Sequence, residues 1–276
     1  MEYAIGTVVI PIYNGLHVAR PCVESVVRWT DLTNCRVLLV NDGSDDYTTE
    51  TLRTWQGWHS SIQLLENPRN LGFVRTCNRA FEHAEGEFVL ILNSDTCVTP
   101  RWLKKLLECL RSDDSIAMVS PLTNFAAHLR IDMAPGLDYV GMNALLEQLW
   151  DGGYPDVTTV AGHCLMIRRS VLAEIGGFDL VFGEGYGEES DLSMRANYFG
   201  YRTVCATDTF IYHRGRGSFG ASRREMLYRE NKVIFHSRWG PRYEAQFTEF
   251  RRLDAIGKVR KRVISVLPQL ESAFRR

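Results

Sequence analysis

This sequence predicts an α/β protein built on a largely parallel sheet, and three apolar runs with polar tips carry the prediction. Residues 7–10 stop at Pro11, Ile12, Tyr13 and Asn14, residues 36–40 at Asn41, Asp42, Gly43 and Ser44, and residues 88–92 at Asn93, Ser94 and Asp95. Segments of helical spacing lie between them, with Val18, Cys22, Val26 and Val27 in one and Leu103, Leu106, Leu107 and Leu110 in another. Strands that alternate with helices imply parallel pairing. A strand without polar alternation is buried on both faces, so its tip reaches the carboxyl edge of the sheet, where open α/β folds bind ligands.

In chain order, strands are expected near 6–11, 36–41, 61–66, 87–92 and 116–120. Helices are expected near 16–29, 46–56, 72–84 and 100–111. From 121 to 155 the pattern weakens into a loop-rich insert, broken by Pro135-Gly136 and Asp151-Gly152-Gly153, with a short helical candidate at 142–150. Regularity returns with an apolar run at 164–167, a helix from Ser170, a helix over 188–199 and strands near 202–206 and 209–213. This gives a domain over 1–240 and a C-terminal helical extension over 241–276. In the extension, Phe247, Phe250, Leu253, Ile256, Val259 and Val263 recur at helical spacing among Arg251, Arg252, Lys258, Arg260, Lys261 and Arg262. A helix packed on the domain or on a second copy (a homodimer) is the first reading, and a basic amphipathic helix in peripheral contact with an anionic membrane the second.

Composition narrows the function. A chain of 276 residues can bury a large core, and a formal charge of −1 gives no reason to expect nucleic acid as a partner. Seven cysteines with no C-x-x-C pair fit reduced, buried thiols and a cytoplasmic location. The first apolar stretch lacks a basic flank and is too short to span a bilayer, so it is expected to be a strand. A literal G-x-G-x-x-G, Gly215 to Gly220, is rejected as a dinucleotide fingerprint: no acidic residue ends a following strand about 20 positions on, where His236, Ser237, Arg238 and Trp239 stand instead.

Asp95, closing the most apolar run, is the first site residue. Its competing role, capping the helix ahead of Pro100, is better suited to Thr99.

Seven segments, read in order, resemble the family 2 glycosyltransferases, inverting enzymes of the GT-A fold, and within them the bacterial rhamnosyltransferase-like branch. They are VVIPIYN at 8–14, VNDGSDD at 40–46, NPRNLGFVRTCNRAF at 67–81, LNSDT at 92–96, VSPLTN at 119–124, AGHCLMIRRSVLAEIGGFD at 161–179 and GEESDLSMRANYFGYR at 187–202. The resemblance spans residues 5–240. It implies a mostly parallel central sheet with helices on both faces, a nucleoside-diphosphate sugar as donor, and Mn2+ or Mg2+ beside the diphosphate. Asp95 keeps the second acid of the family's Asp-x-Asp motif while Asn93 replaces the first, with Ser94 between them. His213 matches a late histidine that contacts metal or diphosphate, and an imidazole suits Mn2+ better than Mg2+. Pro11, Tyr13, Asn14, Asp42, Asn70, Gly72 and Asn78 fall where the family holds its nucleotide. Arg216 falls on a phosphate-covering loop.

A single displacement needs a base for the acceptor hydroxyl. The family's base aligns with Glu189 in Glu188-Glu189-Ser190-Asp191. Asp191 is the second candidate and Glu188 a sugar or acceptor contact, with Gly162, His163 and Cys164 nearby. The competing role of these acids is helix chemistry: charge at a helix N-terminus, and an i,i+4 pair between Asp191 and Arg195. The resemblance thus implies transfer of a sugar to a saccharide or lipid-linked acceptor in polysaccharide synthesis, at the inner face of the membrane if the acceptor is lipid-linked. The alternative is a catalytically inactive sugar-nucleotide or glycan-binding module. A nucleotidyltransferase is disfavoured, because PIYNGLHVARP after the first strand is not a glycine-rich basic triphosphate loop.

Overall fold

The computed structural model describes residues 5–215 and 221–274. Its strands are β1 (Gly6–Ile12), β2 (Cys35–Asn41), β3 (Ile62–Glu66), β4 (Phe88–Leu92), β5 (Thr96–Cys97), β6 (Ile116–Leu122), β7 (Cys164–Arg168), β8 (Arg202–Phe210) and β9 (Tyr212–His213). Seven of them form one sheet in the order β3-β2-β1-β4-β7-β6-β8, and β5 pairs with β9 as a separate ribbon. Within the large sheet every pairing is parallel except the two made by β7.

Side-chain alternation divides the apolar core between the two faces of the sheet. Val8, Ile10, Val37, Leu39, Leu90 and Leu92 point to one face. There they meet α1 (Leu16–Trp29), α2 (Asp46–Gln56) and α4 (Trp102–Arg111), through residues such as Val23, Trp55 and Leu106. Val9, Leu38, Val40, Val89 and Ile91 point to the other. That face is covered by α3 (Phe73–His83), α5 (Tyr139–Leu149), α6 (Arg169–Ile175) and α7 (Glu188–Tyr198). Of the seven cysteines six are buried and Cys97 is half-buried, all as free thiols. They behave as small apolar residues.

Two expectations change. The two strands expected near 202–206 and 209–213 divide differently: β8 continues to Phe210 through a bulge, where its register on β6 jumps from Ala206 to Phe210. The bulge turns the Asp208 carbonyl to the buried Lys105 ammonium, 2.7 Å away. Thr99 does not cap α4, because its hydroxyl donates to the Phe210 carbonyl at 2.7 Å. The residue preceding α4, Arg101, takes a left-handed conformation without a side-chain cap.

Two long helices close the chain, α8 (Ala221–Leu253) and α9 (Ala255–Phe274), separated by Asp254 at φ 48°. Residues 240 and 241, the expected boundary, lie inside α8. The apolar stripe of the extension turns inward: Ile256, Val259 and Val263 are buried in the same core as Met142 and Leu146 of α5. Arg260 and Arg262 donate to the carbonyls of Arg130 and Leu149. Among the described residues no helix is long and apolar enough to cross a membrane.

Candidate active site

The carboxyl ends of β1, β2, β4, β6 and β8 share one edge of the sheet, and the antiparallel β7 brings its amino end to the same edge, with Cys164 opposite Leu92. The chain leaves β1 outward to β2 and β3, then returns with β4 on the other side of β1. Such a reversal opens a crevice between the tips of β1 and β4. The Pro11–Tyr13 tip and Asn93–Asp95 flank it.

On the β2 side the groups are locked together. Asp42 is 4% exposed and both its oxygens accept: Oδ1 from Asn67 Nδ2 and the Leu71 N–H, each at 2.8 Å, and Oδ2 from the Gly72 N–H at 3.1 Å. Asn70 Oδ1 accepts from the same Gly72 N–H at 3.0 Å. Gly43, at φ 66°, lets this loop close, since a Cβ there would stand 2.2 Å from the Arg69 carbonyl carbon. Asn14, at φ 52°, accepts from the Asp45 N–H at 2.9 Å, and its own N–H donates to Ser44 Oγ. Tyr13 stays exposed at the crevice mouth, where its ring is available for stacking.

On the β4 side the β5–β9 ribbon sets Thr96 opposite His213. Asn124 then clamps the histidine backbone: Oδ1 accepts from its N–H at 2.8 Å and Nδ2 donates to its carbonyl at 2.9 Å. The ring's Nδ1 lies 2.9 Å from the Phe125 carbonyl and therefore carries a proton, leaving Nε2 aimed at Asp95 Oδ1, 3.2 Å away. The hydrogen bond to Phe125 fixes the ring's tautomer, and a carboxylate oxygen and an imidazole nitrogen meet. Among the described residues no group of three or more His, Cys, Asp or Glu could hold a metal. A carboxylate and a neutral imidazole are both ligand types that a divalent cation accepts.

The third group sits at the start of α7. Gly187 precedes the helix at φ 107° with no side-chain cap, and Glu188, Glu189 and Asp191 fill its first turn. Glu188 is 5% exposed, and its Oε2 has no partner. Burial, reinforced by the neighbouring Glu189 charge, pushes its carboxyl well above the usual range; burial also raises Glu189. The two side chains share a hydrogen bond. The geometry suits a protonated Glu188 donating to an ionised Glu189, two like acids with separated roles. The Glu189 Cδ lies 3.7 Å from where a Cβ on Gly162 would stand. Next to Gly162, the His163 ring stacks on His213 with centroids 5.6 Å apart and planes 18° from parallel. Burial is the main cause that raises the Tyr186 phenol, and the charges of Glu188, Asp95 and Glu189 add to it. Gly162 and His163 thus link the acidic pair to the Asp95–His213 pair.

Two expected site residues are held elsewhere. Asp191 is fully buried, with Oδ2 accepting from Arg195 Nε at 2.9 Å and Oδ1 from Trp239 Nε1 at 2.9 Å and Arg238 at 3.2 Å. No oxygen is left for a substrate; this carboxylate ties α7 to α8. Asn78 donates to the Phe178 carbonyl at 2.7 Å and accepts from the Phe178 N–H at 2.8 Å, so its amide joins α3 to the loop before α7. Arg216 lies outside the described residues. Asn93 contributes its backbone, which donates to the His163 carbonyl and accepts from Thr96. Sequence reasoning gave no role to Asn124, Asn67, Arg238 or Trp239, and only the VSPLTN segment pointed toward Asn124.

Likeness to solved structures defines the class first. The chain superposes on GalNAc-T7, solved with UDP, GalNAc and Mn2+, with a TM-score of 0.67 at 18% identity, covering 93% of this chain and 54% of that one. On the mannosyltransferase PcManGT from Pyrobaculum calidifontis, solved with GDP-Man and Mn2+, the TM-score is 0.64 at 19% identity, covering 97% and 75%. The fold is GT-A, with the C-terminal helical extension of α8 and α9. The family description Glycosyl transferase family 2 matches residues 7–176, more than half of the chain, and the chain belongs to that family. It is 26% identical over 227 residues to the O-antigen biosynthesis protein RfbC of Myxococcus xanthus, covering 75% of this chain but 17% of that protein. To the N-acetylglucosaminyl-diphospho-decaprenol L-rhamnosyltransferase of Mycobacterium tuberculosis it is 24% identical over 270 residues, covering 84% and 87%. The chain spans less than two thirds of the Myxococcus protein and of an uncharacterized glycosyltransferase from Haemophilus influenzae, of which it covers 62%.

Proposed function

We propose that this chain is an inverting glycosyltransferase that moves a sugar from a nucleoside-diphosphate sugar to a hydroxyl of a saccharide or lipid-linked acceptor, in cell-surface polysaccharide synthesis. The observation that carries the reading is the nearness of two unlike pairs, Asp95 with His213 and Glu188 with Glu189, joined through Gly162 and His163. Asp95 and His213 would hold Mn2+ or Mg2+. Bound there, the cation supplies positive charge beside a departing diphosphate.

The residues of the chain do the rest. Tyr13 and the Asp42 loop form the walls for the nucleotide base. Glu189 takes the proton of the acceptor hydroxyl as its oxygen bonds to the anomeric carbon, while the bond from that carbon to the diphosphate oxygen breaks and its electron pair leaves with the nucleotide. Glu188 stays protonated and keeps Glu189 in place. Support for a lipid-linked acceptor comes from the name of the mycobacterial relative. Asp191 is assigned to holding α7 rather than to the base.

A panel of UDP-, dTDP- and GDP-sugars, with Mn2+ or with EDTA, tests this by thermal stabilisation and then by nucleotide release. A donor at about 100 times its Kd adds about 2.7 kcal/mol. Asp95→Ala is expected to abolish the metal-dependent part of both signals. Stabilisation without release, even with candidate acceptors, would leave a binding module instead of an enzyme.

A further inference from the structure

Among the described residues, six buried side-chain nitrogen or oxygen atoms lack a hydrogen-bond partner, and three belong to His163 and Glu188: both ring nitrogens of one and Oε2 of the other. His163 is 3% exposed. Its place is set by β7, whose amino end meets the tip of β4, and by the Asn93 N–H, which donates to its carbonyl at 2.9 Å. One ring face stacks on His213, the partner of Asp95, and the preceding Gly162 lies against Glu189. The imidazole therefore stands between the leaving-group end of the site and the base. In a single displacement the group between those two ends is the sugar being transferred.

Resting on the glycosyltransferase reading above, we propose that His163 reads the transferred sugar through a hydrogen bond between one of its ring nitrogens and one hydroxyl. A third metal ligand is the weaker assignment: the ring lies parallel to His213 rather than converging with it, and no three-residue metal group occurs among the described residues. Because neither nitrogen has a protein partner, either tautomer is open to the ligand, so the contacting nitrogen can donate to or accept from the hydroxyl. His163 is thus a specificity-determining residue for the donor.

His163→Phe keeps a ring to stack on His213 and removes both nitrogens; His163→Ala removes the ring as well. Each is compared with the wild type for the Kd of UDP, dTDP and GDP with Mn2+, and for kcat/KM with the sugar nucleotide the wild type consumes and with its single-deoxy analogues. The expected result for His163→Phe is nucleoside-diphosphate affinity within about threefold of wild type and a loss of about tenfold in kcat/KM, the scale of one hydrogen bond. One deoxy analogue should cost the wild type about tenfold or more and cost the variant nothing further. Unchanged kcat/KM in His163→Phe, an equal loss of nucleoside-diphosphate binding, or the same deoxy penalty in both proteins overturns the proposal. A wild type that binds nucleoside diphosphates and consumes no sugar nucleotide fails the transferase reading itself, and is recognisable as such before any variant is made.

Discussion

The two ends of this crevice are built on opposite principles. Around Asp42 every carboxylate oxygen is answered by the protein, and the Asn67–Gly72 loop is drawn against Gly43 so closely that no side chain fits between. Around Glu188 and His163, three buried polar atoms are left without partners. An unanswered buried polar atom costs about 1–3 kcal/mol, so the folded chain carries that cost at one end of the site only. The difference separates a preformed binding wall from a transfer site that a ligand completes. A wall can be finished by the fold alone, whereas groups that act on a substrate must keep their hydrogen-bonding capacity until it arrives.

The largest expected effect tests the transfer end. Glu189→Gln keeps the size of the side chain and removes its basicity, so kcat should fall by about 100- to 10,000-fold while nucleoside-diphosphate affinity and thermal midpoint stay near wild type. Single-turnover transfer and calorimetric binding on the same preparation check it. A modest loss would move the base elsewhere and dissolve the contrast between the two ends.

The opposite pattern is expected at the wall. In Asp42→Asn one amide replaces two acceptors, and its NH2 must face either the Gly72 N–H or the donors on the other side. The mismatch costs about 1.5–3 kcal/mol, the scale for hydrogen bonds to a charged group, which should lower the thermal midpoint by about 5 °C. KM for the donor should rise more than kcat falls, because the loosened loop belongs to binding. A kcat loss with unchanged stability and KM would place Asp42 in the chemistry.

The legibility of the sequence follows the same division. Asp95 was singled out because it closes the most apolar run, whereas His213, Asp42 and Glu189 were singled out only through the family resemblance of the segments that carry them. The sheet was readable for the same reason as Asp95: an all-apolar strand announces burial on both faces. Asp191 and Asn78 were misassigned because a local motif does not say what a side chain meets 47 or 100 residues away. The Arg238–Trp239 pair that holds Asp191 comes from α8, and the Phe178 backbone that holds Asn78 comes from the far side of the insert. Asn124 was marked only as the end of the VSPLTN segment and without a role, since what it does is grip the backbone of a histidine 89 residues later. The expected boundary near 240 rested on where the family resemblance ends, and α8 runs through it.

The smallest effect is the sharpest on protonation. Burial and the adjacent Glu189 raise the Glu188 carboxyl in the folded protein, whereas in the unfolded chain it titrates as an ordinary glutamate. Between those two values the native state binds the extra proton, so stability falls as pH rises through that window. Below the unfolded value both states are protonated and the contribution vanishes. Glu188→Gln removes the titration and keeps an N–H donor for Glu189. Its thermal midpoint should therefore match wild type near pH 4 and rise above it as the pH is raised to 8, as read by calorimetry across that range. A midpoint difference independent of pH would mean that Glu188 is ionised in the native protein. The pair would then hold no proton, and Glu188 could not keep Glu189 in place as its hydrogen-bond donor.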